Sequence, residues 1–234
     1  MNEEQPKFAA VCFDCDGTLT RIEGIDELAR RSGRDSEIAP LTTAAMDGTL
    51  SIEDVYAKRL EIVRPDREDL EWLGERYLAE LVEGTIATVA ALHRLEKPVY
   101  VVSGGLLQPV TRLAEALGIA ATNVRAVEVH LDGEGGYMGF DTNSPLVRSD
   151  GKAEICRELA ARHGPSIAIV GDGVTDLAAR SSGACVVGFG GVAHREVMAE
   201  GADFFIGDAN LTATLEVLLT DTEFRRASQL AQRR

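Results

Sequence analysis

Positive charge is scarce in this sequence. Lys and Arg number 24 against 38 Asp and Glu, which leaves a net charge of −14. A surface of that sign repels phosphate backbones, so no nucleic-acid partner is expected. An anionic ligand must instead be held by a local cluster of cations and backbone amides. No run of about 18 apolar residues exists, which excludes a membrane-spanning helix and, with it, an expected membrane partner. The opening stretch Met1 to Lys7 lacks the basic start and apolar stretch of a secretion signal, so a cytoplasmic location is expected. Repeats and low-complexity segments are absent. Cysteine is limited to four positions. Cys12 and Cys15 have C-x-x-C spacing, but they close an apolar run that reads as a buried strand, whereas a redox pair normally opens a helix.

Apolar residues make up 45% of the 234 positions and charged residues 26%, the mixture of a soluble globule with enough chain for one core domain and a smaller insertion. Phe8–Phe13, Pro98–Val102, Ser166–Val170 and Ala184–Val187 are short continuous apolar runs, as in strands buried on both faces. Amphipathic helical patterns follow the last three, over Leu107–Leu117, Asp176–Ser181 and His194–Glu200. Asp203–Ile206 followed by Leu211–Leu219 repeats the unit. Strands alternating with helices predict an α/β fold with a Rossmann-like parallel sheet.

Two segments break the rhythm. From about Thr20 to Glu83 the apolar residues recur at helical spacing, with no convincing strand, and predict a bundle of about four helices inserted after the first strand. Val124–Phe140 reads as a small antiparallel ribbon, with Val127, Val129 and Leu131 alternating and Asp132-Gly133 supplying a turn. The expected division is a core of residues 1–19 and 84–234 and a helical cap of residues 20–83. The polar tail from Asp221 is expected to fray.

Chemistry-bearing residues gather where strands end. Asp14 and Asp16 follow the first strand, and two carboxylates this close repel unless a cation or a reaction needs them. Gly17 permits tight backbone geometry that lets amides face an anion. Asp172 and Asp176 follow the third strand, four residues apart. Asp176 in a first helical turn also reads as a simple cap. Ligands of open α/β sheets bind beyond the carboxyl ends of the strands, and several Asp oxygens converging there make a hard site suited to Mg²⁺. Ser103-Gly104-Gly105 offers a hydroxyl and amides to a phosphoryl oxygen, although a lone Ser-Gly-Gly also suits any tight turn. Lys152 stands in a first helical turn, where a cation opposes the dipole.

The order Asp14-x-Asp16-Gly17-Thr18, Ser103, Lys152, then Gly171-Asp172-Gly173-x-x-Asp176 resembles the haloacid dehalogenase superfamily of phosphohydrolases, and the stretch Phe13–Ala29 is similar to the opening of its phosphoserine phosphatase family. That resemblance, from about Phe8 to Leu219, implies Mg²⁺-dependent hydrolysis of a small phosphate monoester, O-phosphoserine, in serine biosynthesis. It assigns Asp14 as nucleophile, Asp16 as general acid and base, and Mg²⁺ to Asp14, Asp172 and the backbone carbonyl of Asp16. Ser103, Gly104, Gly105, Lys152 and Thr175 would surround the phosphoryl group. Glu23 would meet the substrate ammonium, Arg59 its carboxylate, and Met46 would line the pocket. A monomer or homodimer is expected. Two departures stand out: Asp-Gly-Thr where many members have Asp-Ser-Thr, and Ile52 where an aromatic residue is expected. Rival readings are another small phosphate ester, phosphoryl transfer to an alcohol, a non-catalytic Mg²⁺-binding module and a thiol redox protein.

Overall fold

The computed structural model describes residues 7–46 and 49–231. In chain order, β1 (Ala10–Phe13) is followed by four helices, α1 (Gly24–Arg31), α2 (Asp35–Met46), α3 (Ile52–Val63) and α4 (Arg67–Ala79). Then come α5 (Thr85–Arg94), β2 (Val99–Leu106), α6 (Leu107–Ala116), β3 (Val124–Val127), β4 (Val129–Leu131) and β5 (Tyr137–Phe140). The chain continues through α7 (Gly151–His163), β6 (Ile167–Gly171), α8 (Val174–Ala178), β7 (Cys185–Phe189), α9 (Glu196–Gly201) and β8 (Phe204–Ile206). It closes with α10 (Leu215–Leu218) and α11 (Asp221–Ala231).

Six strands form one sheet in the order β3-β2-β1-β6-β7-β8, and every pairing in it is parallel. The apolar runs behave as anticipated: Ala10 to Phe13 are fully buried, as are Ala168 to Val170 on β6. Such strands need covering on both faces, and the crossover helices supply it. The first strand in sequence lies inside the sheet. The chain leaves it toward β2 on one side and returns to β6 on the other, so its carboxyl end is a topological switch point with an open crevice above it.

Register fixes what meets there. Phe13 pairs with Val101 on β2 and with Val170 on β6. Running each pairing on by two residues carries the strand ends past Asp14 to Ser103 and Asp172, so these three positions crowd one sheet edge. The four helices between β1 and α5 agree with the anticipated helical insertion. Helix α4 is closed by a reciprocal cap, in which the Asp69 amide donates to Asp66 Oδ1 (2.9 Å) and the Asp66 amide to Asp69 Oδ2 (3.3 Å).

Two expectations are corrected. The antiparallel ribbon is only β4 with β5; Val124–Val127 belongs to the main sheet, where Val124 pairs with Val101 and Val127 with Leu106. The tail does not fray from Asp221. Thr220 and Glu223 form a reciprocal cap, with the Thr220 amide donating to Glu223 Oε2 (2.9 Å) and the Glu223 amide to Thr220 Oγ1 (3.2 Å). Buried Lys97 then ties α11 down, bonding Glu223 Oε1 at 2.6 Å and the carbonyl of Phe8 at 3.0 Å. Among the described residues no helix is long and apolar enough to cross a membrane.

Candidate active site

A cleft opens at the switch point. The strand ends give it Asp14, Asp16, Ser103, Gly104 and Gly105, and the first turns of α7 and α8 give it Lys152 and Thr175; the helical insertion gives it Glu23, Tyr56, Arg59 and Tyr77.

Asp14 continues β1 and is held on three sides. Its amide donates to the Val170 carbonyl (2.9 Å), its Oδ1 accepts from the Cys15 amide (2.7 Å), and its Oδ2 lies 2.7 Å from Lys152 Nζ. The same ammonium sits 2.8 Å from Asp176 Oδ1. Burial pushes Lys152 toward its neutral form, but the carboxylates of Asp14 and Asp176 outweigh it and hold the lysine well above its ordinary value. The misplaced cation of the first α7 turn is therefore a counter-ion for two buried acids. Asp176 also caps its own helix, accepting from the Gly173 amide at 3.1 Å, so the cap and the cluster are one arrangement.

Oxygens of Asp14, Asp172 and Asp176 lie within 4.8 Å of one another. Burial is the chief cause at two of them: it pushes Asp172 up to about 6 and Asp176 up to about 7. Gly17 makes this crowding possible. Its φ is +67°, and a Cβ there would stand 2.5 Å from Asp172 Oδ2. Three hard carboxylates that share one lysine and one arginine as cationic partners suit a divalent ion with oxygen ligands, and Mg²⁺ fits that donor set. Asp16 contributes no side-chain oxygen to the cluster; its carbonyl lies on the same turn.

Asp16 lines the cleft. Burial pushes its carboxyl up to about 7; the Tyr77 hydroxyl pulls the other way, although neither Asp16 Oδ1 nor that hydroxyl makes a formed hydrogen bond among the described residues. A carboxyl poised near neutrality can both give and take a proton. Ser103 Oγ accepts from the Gly105 amide at 3.0 Å.

Arg59 is 5% exposed. Its Nη1 reaches Thr42 Oγ1 at 3.5 Å, and Thr42 in turn donates to Asp26 Oδ1 at 2.7 Å. Its Nε finds no hydrogen-bond partner among the described residues. A buried guanidinium without a direct carboxylate is costly, so its geometry suits an incoming anion. Glu23 is raised well above its ordinary value, first by burial and then by Asp16, Asp172 and Asp14. The Met46 side chain and the Ile52 side chain lie outside the described residues.

Several residues in the cleft or beside the acid cluster carry no motif. Arg195 stands at the N-cap of α9, bonds Asp172 Oδ2 through Nε at 3.2 Å and lies 3.8 Å from Glu23 Oε1. Its only sequence signal was its place after a strand end and the Gly190-Gly191 turn. Tyr56, Tyr77 and Arg148 also line the cleft. The four thiols are free, and Cys12 pairs with Cys156 in a hydrogen bond that raises it, rather than with Cys15.

A sheet edge carrying a caged carboxylate, a buried lysine and an acid cluster defines a phosphohydrolase-like class, and the chain belongs to the haloacid dehalogenase-like hydrolases, whose family model matches residues 11–180. Its relatives within that family include phosphoserine phosphatases. The mouse protein (Mus musculus) of that name is 35% identical over 200 residues, spanning 85% of this chain and 89% of its own. The chloroplastic enzyme of Arabidopsis thaliana is 36% identical over 200 residues, 84% of this chain and 68% of its own. Among solved structures, a substrate-bound phosphoserine phosphatase complex superimposes with a TM-score of 0.80 at 27% identity, covering 92% of this chain and 100% of the other. A phospho-aspartyl intermediate analogue of phosphoserine phosphatase gives a TM-score of 0.77 at 28% identity, covering 89% and 98%.

Proposed function

We propose that this chain hydrolyses O-phospho-L-serine to L-serine and phosphate through an aspartyl-phosphate on Asp14. The observation that carries the reading is one cleft holding two kinds of chemistry: a phosphoryl-transfer cluster on the sheet edge, and a buried, incompletely bonded Arg59 with Glu23 from the helical insertion. A phosphorylated amino acid has the matching ends. Phosphoserine phosphatase relatives and the substrate-bound neighbour support the choice.

In this reading residues 20–83 act as a cap domain on a core of residues 1–19 and 84–234. The substrate carboxylate docks on Arg59 and its ammonium on Glu23, with Met46 completing the pocket. Ser103, Gly104, Gly105, Thr175 and Lys152 hold the phosphoryl oxygens. Asp14, kept in plane by the Cys15 amide and Lys152, attacks phosphorus; the bond from phosphorus to the serine oxygen breaks, and Asp16 delivers a proton to that oxygen. Asp16 then takes a proton from water, whose oxygen attacks phosphorus and frees Asp14. Asp14, Asp172 and the Asp16 carbonyl would hold Mg²⁺, supported by Asp176. When bound, the ion offsets repulsion between the phosphoryl group and the surrounding carboxylates. The natural setting would be the last step of serine biosynthesis in the cytoplasm, by a monomer or homodimer.

Phosphate release should be measured with Mg²⁺ across phosphorylated amino acids and sugars. O-phospho-L-serine is expected to give the highest kcat/KM. A phosphosugar turned over faster would overturn the serine assignment, and no release from any of them would overturn the enzyme reading.

A further inference from the structure

The Gly104–Gly105 peptide lines the cleft beside Ser103. Along β2 the pairing with β3 is regular as far as Val102 and resumes only at Leu106, so Ser103 to Gly105 lie in an irregular stretch of the ladder. Bulged stretches beside active sites redirect single groups, and two successive glycines put little steric restraint on the direction of the peptide between them. A residue of the helical insertion supplies the restraint. Tyr56 on α3 donates its hydroxyl to the Gly104 carbonyl at 2.8 Å.

The consequence follows from the planar trans peptide. Its C=O and N–H point in opposite directions, so fixing the Gly104 carbonyl fixes the Gly105 N–H. That N–H points to the Ser103 side, 3.0 Å from Ser103 Oγ. The hydroxyl is itself held by packing. The Tyr56 ring is 5% exposed, lies 5.4 Å from the Phe140 ring at a tilt of 56°, and carries the Arg59 guanidinium 5.8 Å from its centroid. One side chain thus touches the amino-acid-recognising cation with its face and the phosphoryl loop with its tip.

We propose that Tyr56 is a positioning residue that couples the seating of α3 over the cleft to the placement of the Ser103 hydroxyl, which the Gly105 N–H holds from one side and which is left to donate its own proton to the phosphoryl group. Closing the insertion and completing the donor set become one event, and the site is fully formed only when covered. The proposal rests on the phosphatase reading but not on serine as the substrate.

Tyr56→Phe tests it, since the ring, the Phe140 contact and the stack on Arg59 remain. Turnover should fall about tenfold on both O-phospho-L-serine and p-nitrophenyl phosphate, because a preorganised donor acts on the transition state shared by both. KM should stay within about twofold. A second readout needs no turnover: the rise in unfolding temperature with Mg²⁺ and beryllofluoride should require about tenfold more fluoride complex, while the unliganded midpoint is unchanged. A rise in KM with kcat held, or a loss confined to phosphoserine, would place Tyr56 in amino-acid recognition and overturn the proposal. An unchanged beryllofluoride titration would overturn it as well. A wild-type protein inert on phosphoserine but active on the chromogenic ester would defeat only the serine reading.

Discussion

Arg59→Ala separates recognition from chemistry. In the unliganded protein the guanidinium is almost wholly buried, reaches Thr42 at only 3.5 Å and leaves Nε without a partner among the described residues. Removing it strands no carboxylate, because Asp26 keeps its 2.7 Å bond from Thr42. Folding should therefore change little. In the complex the balance is different. The substrate carboxylate would lose a charge-assisted partner in a desolvated cleft, a loss of about 2–5 kcal/mol, or roughly 30- to 4,000-fold in kcat/KM for O-phospho-L-serine. Asp14, Asp16 and Lys152 are untouched, so p-nitrophenyl phosphate, which has neither carboxylate nor amine, should be hydrolysed within about twofold of the wild-type rate. Arg59→Lys should restore only part of the loss, since an ammonium cannot present a planar fork. Both substrates are assayed on one preparation. Equal losses on the two would show that Arg59 serves the cap fold rather than the serine end, and the reasoning would fail.

Asp14→Asn should lower turnover by about four orders of magnitude or more while leaving the fold intact, since an amide oxygen still accepts from Cys15; near wild-type rates in folded protein would exclude Asp14 as nucleophile. Gly17→Ala forces a Cβ against Asp172 at a positive φ, and should raise the Mg²⁺ needed for half-maximal activity about 10- to 100-fold; an unaltered Mg²⁺ titration would refute the crowding argument. Lys97→Ala leaves the partly buried Glu223 carboxylate and the Phe8 carbonyl without their cation. It should cost about 3–5 kcal/mol, seen as a fall of roughly 6–20 °C in Tm, with kcat per folded molecule unchanged.

Much of this was legible because the site is written at strand ends. A continuous apolar run that stops at Asp14, and another that stops at Asp172, announce both a buried parallel strand and the edge where ligands bind. The helical insertion was legible from period alone. Val124–Val127 was misassigned because its alternation runs on into Val129 and Leu131, and only the distant pairing with Val101 and Leu106 decides which sheet claims it. The α11 helix had a signal, Thr220 followed three residues later by Glu223, outweighed by the polarity of the tail. Tyr56, Tyr77 and Arg195 had almost none. A tyrosine on a helix face or an arginine before a short helix is an ordinary residue in sequence, and its meaning here comes from what other elements place beside it.

The central place of β1 bears on how the molecule comes into being. It is the earliest strand of its sheet in chain order, yet its neighbours lie far along the chain: Ala10 meets Ile167, and Val11 meets Val99. Such distant pairings must absorb the entropy of closing long loops before they return any stability, so the sheet is expected to form late and slowly. Until β6 has left the ribosome, β1 has one exposed edge and Asp14 has neither Lys152 secured against Asp176 nor Asp172 beside it. No shorter nascent chain holds half an enzyme, and the apolar first strand is the segment most in need of shielding while the rest is made.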